Sequence, residues 1–73
     1  MGKIKELDLH GVFHGDVRDK VENFVLLHST ELPVRIITGD SQRMRNLTVN
    51  ILEKHKFVYE IPAHNSGEII VLS

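Results

Sequence analysis

The 73-residue chain has no cysteine and no tryptophan, and its aromatic side chains are three phenylalanines and one tyrosine. Without cysteine there can be no disulfide, no thiolate-metal centre and no thiol nucleophile, so stability has to come from packing, and a reducing compartment is compatible. No stretch approaches the roughly 20 apolar residues of a membrane span, and the opening "MGKIKELDL" has no apolar run of signal-peptide length. These absences give the expectation of a cytoplasmic chain with no membrane partner. Internal repeats, low-complexity tracts and linkers are missing too, so residues 1–73 are expected to form a single domain. At this size roughly 60% of the unfolded surface can be buried, which leaves room for one small core. A hydrophobic content of 41% beside 26% charged residues is ordinary for a globular chain and excludes disordered or collagen-like classes.

A strong excess of one charge is also absent, since the net charge is −1. The charges are nevertheless unevenly placed. Residues 1–33 hold four bases against six acids, residues 34–58 hold Arg35, Arg43, Arg45, Lys54 and Lys56 against two acids, and residues 59–73 hold two acids alone. The middle third is the candidate for an anion-facing surface, and its bases read equally well as solvated helix and strand positions.

Alternation in "KIKELDLH" predicts a first strand over residues 4–10, ended by Gly11. Leu7 and Leu9 share one face of it, and Asp8 and His10 share the other. The period then changes: Val17, Val21, Phe24, Val25 and His28 follow helical spacing, with Asp16 as the expected cap and an end before Pro33. "VRIIT" is apolar on both faces at Ile36 and Ile37, the pattern of a central strand covered by helices, and Gly39 ends it. Met44, Leu47 and Ile51 predict a second helix starting near Asp40 or Ser41, with Lys54 and Lys56 complementing its C-terminal dipole. "FVYEI" and "EIIVL" read as two further strands around the turn-rich loop "PAHNSG". The order strand, helix, strand, helix, strand, strand implies an α/β fold: a two-layer sandwich with a mixed βαβαββ sheet and two helices. Ile36, Ile37, Ile69 and Val71 are expected in its core.

Ligands of open α/β sheets bind beyond the C-terminal ends of parallel strands. There the sequence places Asp8, His10 and Gly11 at one strand exit, and Thr38, Gly39, Asp40 and Ser41 at the other. A carboxylate beside an imidazole suits general acid-base chemistry, with Asp8 orienting His10 for water attack, although both also read as polar positions on a wet face. "TGDSQRMR" joins a glycine turn to a helix start, where free amides, Arg43 and Arg45 could hold a phosphate. Asp40 opposes an anion there, and Asp40 or Ser41 serves equally well as a plain N-cap. The stretch is not a P-loop, because the second glycine and the lysine are missing. His10 and His14 lack the glutamate and the continuous helix of a zincin, and His28, His55 and His64 show no ligand spacing.

"LDLHG" at 7–11, "VRIITG" at 34–39 and "SGEIIVL" at 66–72, separated by two amphipathic helices, resemble the small MutS-related (Smr) domain across nearly the whole chain. The resemblance implies a βαβαββ domain similar to the C-terminal domain of translation initiation factor three. It also implies binding to DNA or RNA, with nicking or cleavage in several members. Leu7, Asp8, Leu9 and His10 match the motif associated with cleavage. Thr38 and Gly39 match the start of a second motif, commonly His-Gly-x-Gly with threonine replacing histidine in some members; Ser41 stands where its second glycine is expected and Asp40 where a basic residue is frequent.

Two functional expectations result. One is a monomeric nucleic-acid-binding domain with endonuclease activity. It would use Asp8 and His10 for phosphodiester hydrolysis and Gly11, Thr38, Gly39, Ser41, Arg43 and Arg45 for the backbone, with a divalent metal ion, Mg2+ or Mn2+, as the cofactor left open. Binding would be weak and without sequence specificity, with about two to four phosphate contacts and a log affinity–log salt slope of roughly −2 to −4. The other is a catalytically degenerate domain that binds only, or docks a protein partner.

Overall fold

The computed structural model describes residues 4–73. Along the chain lie β1 (Lys5–Asp8), α1 (His14–Leu27), β2 (Val34–Ile37), α2 (Gln42–Lys54), β3 (Tyr59–Glu60) and β4 (Glu68–Val71). The strands form one mixed sheet in the order β1-β2-β4-β3, with β1 parallel to β2 and β4 antiparallel to both of its neighbours. The connections β1–α1–β2 and β2–α2–β3 step the same way across the sheet. Right-handed crossovers then lay both helices on one face, where α1 packs against α2.

Burial follows the two periodicities. Val17, Val21 and Val25 of α1, with Met44, Ile51 and Leu52 of α2, meet Val34, Ile36, Ile69 and Val71 of the sheet, and Leu9 closes the core at the end of β1. Ile37 departs from expectation. Strand β2 is central but covered on one side, so Val34 and Ile36 are buried while Arg35 and Ile37 are half-buried on the open face. The apolar pair Ile36–Ile37 reads as two covered faces in sequence, whereas a sheet with two helices has a single covered one.

Element ends differ as well. Strand β1 stops at Asp8, because the chain turns after Leu9. Helix α1 starts two residues before Asp16, which lies in the first turn, where its carboxylate complements the helix dipole. Gly15 fits within that turn because a Cβ there would meet the Phe13 ring at 2.8 Å. The expected strand "FVYEI" is only two residues long.

Of the two caps the sequence offers for helix α2, Asp40 and Ser41, the structure uses Ser41, whose hydroxyl accepts from the Met44 amide at 3.1 Å. The helix ends in a Schellman motif, with Phe57 N donating to Leu52 O at 2.9 Å and Lys56 N to Glu53 O at 3.1 Å. Lys56 occupies the left-handed position at φ 61°, where glycine is usual. Two histidine–carboxylate hydrogen bonds lie near the C-terminal ends of the helices, and one of them joins the two helices. His55 Nε2 lies 2.7 Å from Glu22 Oε2, joining α2 to α1, and His28 Nδ1 lies 2.6 Å from Glu31 Oε1. His28 caps the end of α1, as its position in sequence suggests.

Candidate nucleic-acid interface

The C-terminal ends of β1 and β2 are adjacent, since Asp8 pairs with Ile37 and the Leu9 amide continues the ladder to Ile37 O at 2.9 Å. Both predicted segments therefore reach one edge of the sheet. The first exit is a tight turn in which Val12 N donates to Leu9 O at 3.0 Å and Gly11 has φ +77°. A third residue with that φ is the signature of a type II turn, which makes glycine the natural occupant. A Cβ on Gly11 would meet nothing within 4 Å, so the requirement is conformational rather than steric. Buried Leu9 anchors the turn from below, while Asp8, His10 and Gly11 are exposed.

Asp8 and His10 lie together, but not in the expected manner. Asp8 Oδ1 accepts from the backbone N–H of His10 at 2.8 Å, so the carboxylate fixes the turn rather than the ring. Two-residue spacing brings two side chains to one face only while the strand continues, and here it has ended.

The second exit is built differently. Gly39 also has a left-handed φ, +68°, with open space at its Cβ position. The amides of Thr38 and Gly39 both donate to Gly67 O, at 2.8 and 3.0 Å. Gly67 in turn lies against Gly39, where an added Cβ would stand 3.3 Å from its carbonyl carbon and oxygen. Thr38 is buried, with its hydroxyl donating to Gly39 O at 3.2 Å. Of the predicted phosphate ligands, then, Thr38, Gly39 and Ser41 spend side-chain or amide groups on the fold. The amides of Gln42 and Arg43, in the first turn of α2, lie ahead of the intrahelical ladder.

The basic residues divide in the same way. Arg43 is exposed, but Arg45 is half-buried: its Nε donates to Ser66 O at 2.9 Å and its Nη1 to Gln42 Oε1 at 2.7 Å, pinning α2 to the β3–β4 loop. Arg35 lies on the open sheet face, 3.3 Å from Glu6 Oε2 and 3.5 Å from Glu68 Oε1. Lys54, 4.0 Å from Glu22, stands roughly 17 Å along α2 from Arg43, beyond a Debye length of about 8 Å at physiological salt. The positive middle third of the sequence is thus several separate charges in space.

Among the described residues no group of three or more His, Cys, Asp or Glu could hold a metal ion. The Mg2+ or Mn2+ that the sequence leaves open finds no ready ligand set, and Asp8 is the exit carboxylate beside His10. What sequence reasoning missed is that the turn-rich loop "PAHNSG" closes over the second exit. Asn65 Oδ1 accepts from Gly67 N at 3.0 Å and Asn65 Nδ2 donates to Glu68 Oε2 at 3.2 Å, shaping the turn that takes up the Thr38 and Gly39 amides. The Asn-Ser-Gly run was its signal. No helix is long and apolar enough to cross a membrane, among the residues described.

No protein-family model matches this chain, and no curated protein or solved structure matches it with significance.

Proposed function

We propose that the chain is an Smr-like nucleic-acid-binding domain, a two-layer βαβαββ sandwich akin to the C-terminal domain of translation initiation factor three. Its ligand-facing edge comprises His10, Gly11, Arg43 and the first-turn amides of α2. The observation that carries the reading is the convergence of two parallel strand exits, each turning through a left-handed glycine, with an exposed imidazole on one and an exposed arginine on the other. A phosphodiester placed there would meet Arg43 and the first-turn amides, with His10 free to take a proton from an attacking water or to steady the leaving oxygen. Asp8 acts as a positioning residue, holding His10 through its backbone.

With Arg35 paired and Arg45 pinned, the phosphate contacts fall to about one or two, so the log affinity–log salt slope is expected near −1 to −2. The test is incubation of the purified domain with labelled single-stranded, duplex and branched DNA and RNA, with and without Mg2+ or Mn2+. His10→Ala is expected to lower cleavage by about 10²–10⁴-fold with binding retained. Asp8→Asn, which keeps an acceptor for the His10 amide, is expected to cost less than Asp8→Ala. Cleavage that survives His10→Ala removes the site assignment.

A second reading, a binding-only or protein-docking domain, is favoured by one observation: the Asp8 carboxylate serves the backbone and leaves the His10 ring unoriented by it. Salt-dependent binding to nucleic acid without turnover selects a binding-only domain, and salt-insensitive or absent binding selects the protein-docking form.

A further inference from the structure

The sheet face turned away from the helices carries a pattern of its own. Strand register places Glu6, Arg35, Ile70 and Glu60 in one row across all four strands, and Asp8, Ile37 and Glu68 in the next. Just past the paired segments, Leu72 N donates to Val58 O at 2.7 Å, which sets Val58 and Leu72 side by side, and alternation puts both on this same face. They are 54% and 41% exposed. Ile37 and Ile70, half-buried by their neighbours, have no layer above them among the described residues.

Charge identifies the occupant. Among the described residues, four carboxylates (Glu6, Asp8, Glu60 and Glu68) share the face with one cation. Arg35 sits between Glu6 and Glu68, so its charge is already matched and offers little to an incoming anion. The remaining acidic surplus surrounds an apolar strip, which repels a nucleic-acid backbone or an anionic lipid and attracts lysine and arginine. Four strands about 4.8 Å apart make a platform roughly 14 Å across, wide enough to seat a helix of about 10 Å diameter.

We propose that the open sheet face docks an amphipathic, basic helix of a protein partner. Its apolar side seats on Val58, Leu72, Ile70 and Ile37, and its lysines or arginines meet Glu6 and Glu60. This surface meets the strand-exit edge only at Asp8 and Ile37 and does not depend on the nucleic-acid reading.

The test uses the full chain labelled at isoleucine methyls and titrated with two synthetic helical peptides of about 18 residues. One has leucines on one side and lysines on the other, and the second has glutamates in place of the lysines. The lysine peptide is expected to shift the Ile37 and Ile70 methyls while the sequence neighbours Ile36 and Ile69, under the helices, move little. The combination Glu6→Gln with Glu60→Lys is expected to weaken binding about tenfold or more, with Ile36 and Ile69 signals unchanged as proof of fold. The proposal is overturned if neither peptide binds, if the glutamate peptide binds as well, or if Ile36 and Ile69 shift as much as Ile37 and Ile70. It is equally overturned if Ile70 responds to raising the concentration of the chain alone, which would make a second copy the occupant, or to single-stranded RNA.

Discussion

The two strand exits use one conformational device for opposite ends. Each has a glycine in the left-handed region with open space where its Cβ would be. At the first, the turn is held by its own residues, and Asp8, His10 and Gly11 all face solvent. At the second, another loop closes over the turn: Gly67 takes two amides, Thr38 is buried and Arg45 reaches Ser66. A left-handed glycine therefore says that the chain turns, and what the turn is for depends on whether its polar groups are spent. The first exit leaves the His10 side chain exposed, whereas the second spends most of its polar groups on holding β2 and α2 against the β3–β4 loop.

The sharpest way to break this contrast is to remove the anchor of the open turn. Leu9→Ala deletes a fully buried side chain and is expected to cost about 2–5 kcal/mol in chemical denaturation, a large part of the stability of so small a domain. A loss below about 1 kcal/mol would mean that the turn does not depend on the core. Next come the glycines. Gly67→Ala presses a methyl on Asn65 and on the Gly39 backbone, for about 1–3 kcal/mol and faster hydrogen exchange at the Gly39 amide. Gly11→Ala meets only its φ, for about 1 kcal/mol, and leaves Gly39 exchange unchanged. Equal exchange at Gly39 in the two variants would erase the distinction between the exits.

The two arginines separate more finely. Arg43→Ala is expected to flatten the salt slope of nucleic-acid binding by about 1 at unchanged stability, whereas Arg45→Ala should lower stability by roughly 0.5–1.5 kcal/mol with a smaller change in slope. Reversed roles would place the ligand on the Ser66 side. A control comes from the far ends of the helices. The hydrogen bond from His55 holds the Glu22 carboxyl below its usual range, and that from His28 does the same for Glu31. Because the unfolded chain takes up these protons at higher pH than the folded one, the stabilisation is complete above the ordinary glutamate range near 4.3 and fades as pH falls below it. Glu22→Gln should therefore flatten the loss of stability on acidification while leaving both exits intact. The smallest effect concerns Lys56, whose left-handed backbone carries a cost that glycine avoids; Lys56→Gly is expected to add about 0.5–1 kcal/mol to the stability.

Those pairs of variants also mark where sequence stops being informative. Period gave α1 and α2 through Val17, Val21, Val25, Met44 and Ile51, and the cap of α2 was narrowed to Asp40 or Ser41, because these signals are local. Ile37 misled, since an apolar residue on a central strand looks alike whether a second layer covers it or its neighbours merely crowd it. Asp8 misled through geometry: the spacing of two was real, but the strand ended between the two side chains. The duties of Arg35 and Arg45 were invisible because their partners Glu6, Glu68 and Ser66 are distant in sequence, and no local rule brings them together.

The strand lengths have a consequence for the behaviour of the domain in concentrated solution. A four-stranded sheet leaves two open edges, and unpaired edges are templates for fibre growth. At one edge β3 offers only Tyr59 and Glu60, too short a run to recruit a neighbouring chain. At the other, β1 reads Lys-Glu-Leu-Asp, so three of its four side chains are charged and a stacked copy in register would bring like charges together. Thermal unfolding should accordingly reverse on cooling even at high protein concentration, and replacing Glu6 and Asp8 by valine should make it irreversible by building an apolar edge out of a charged one.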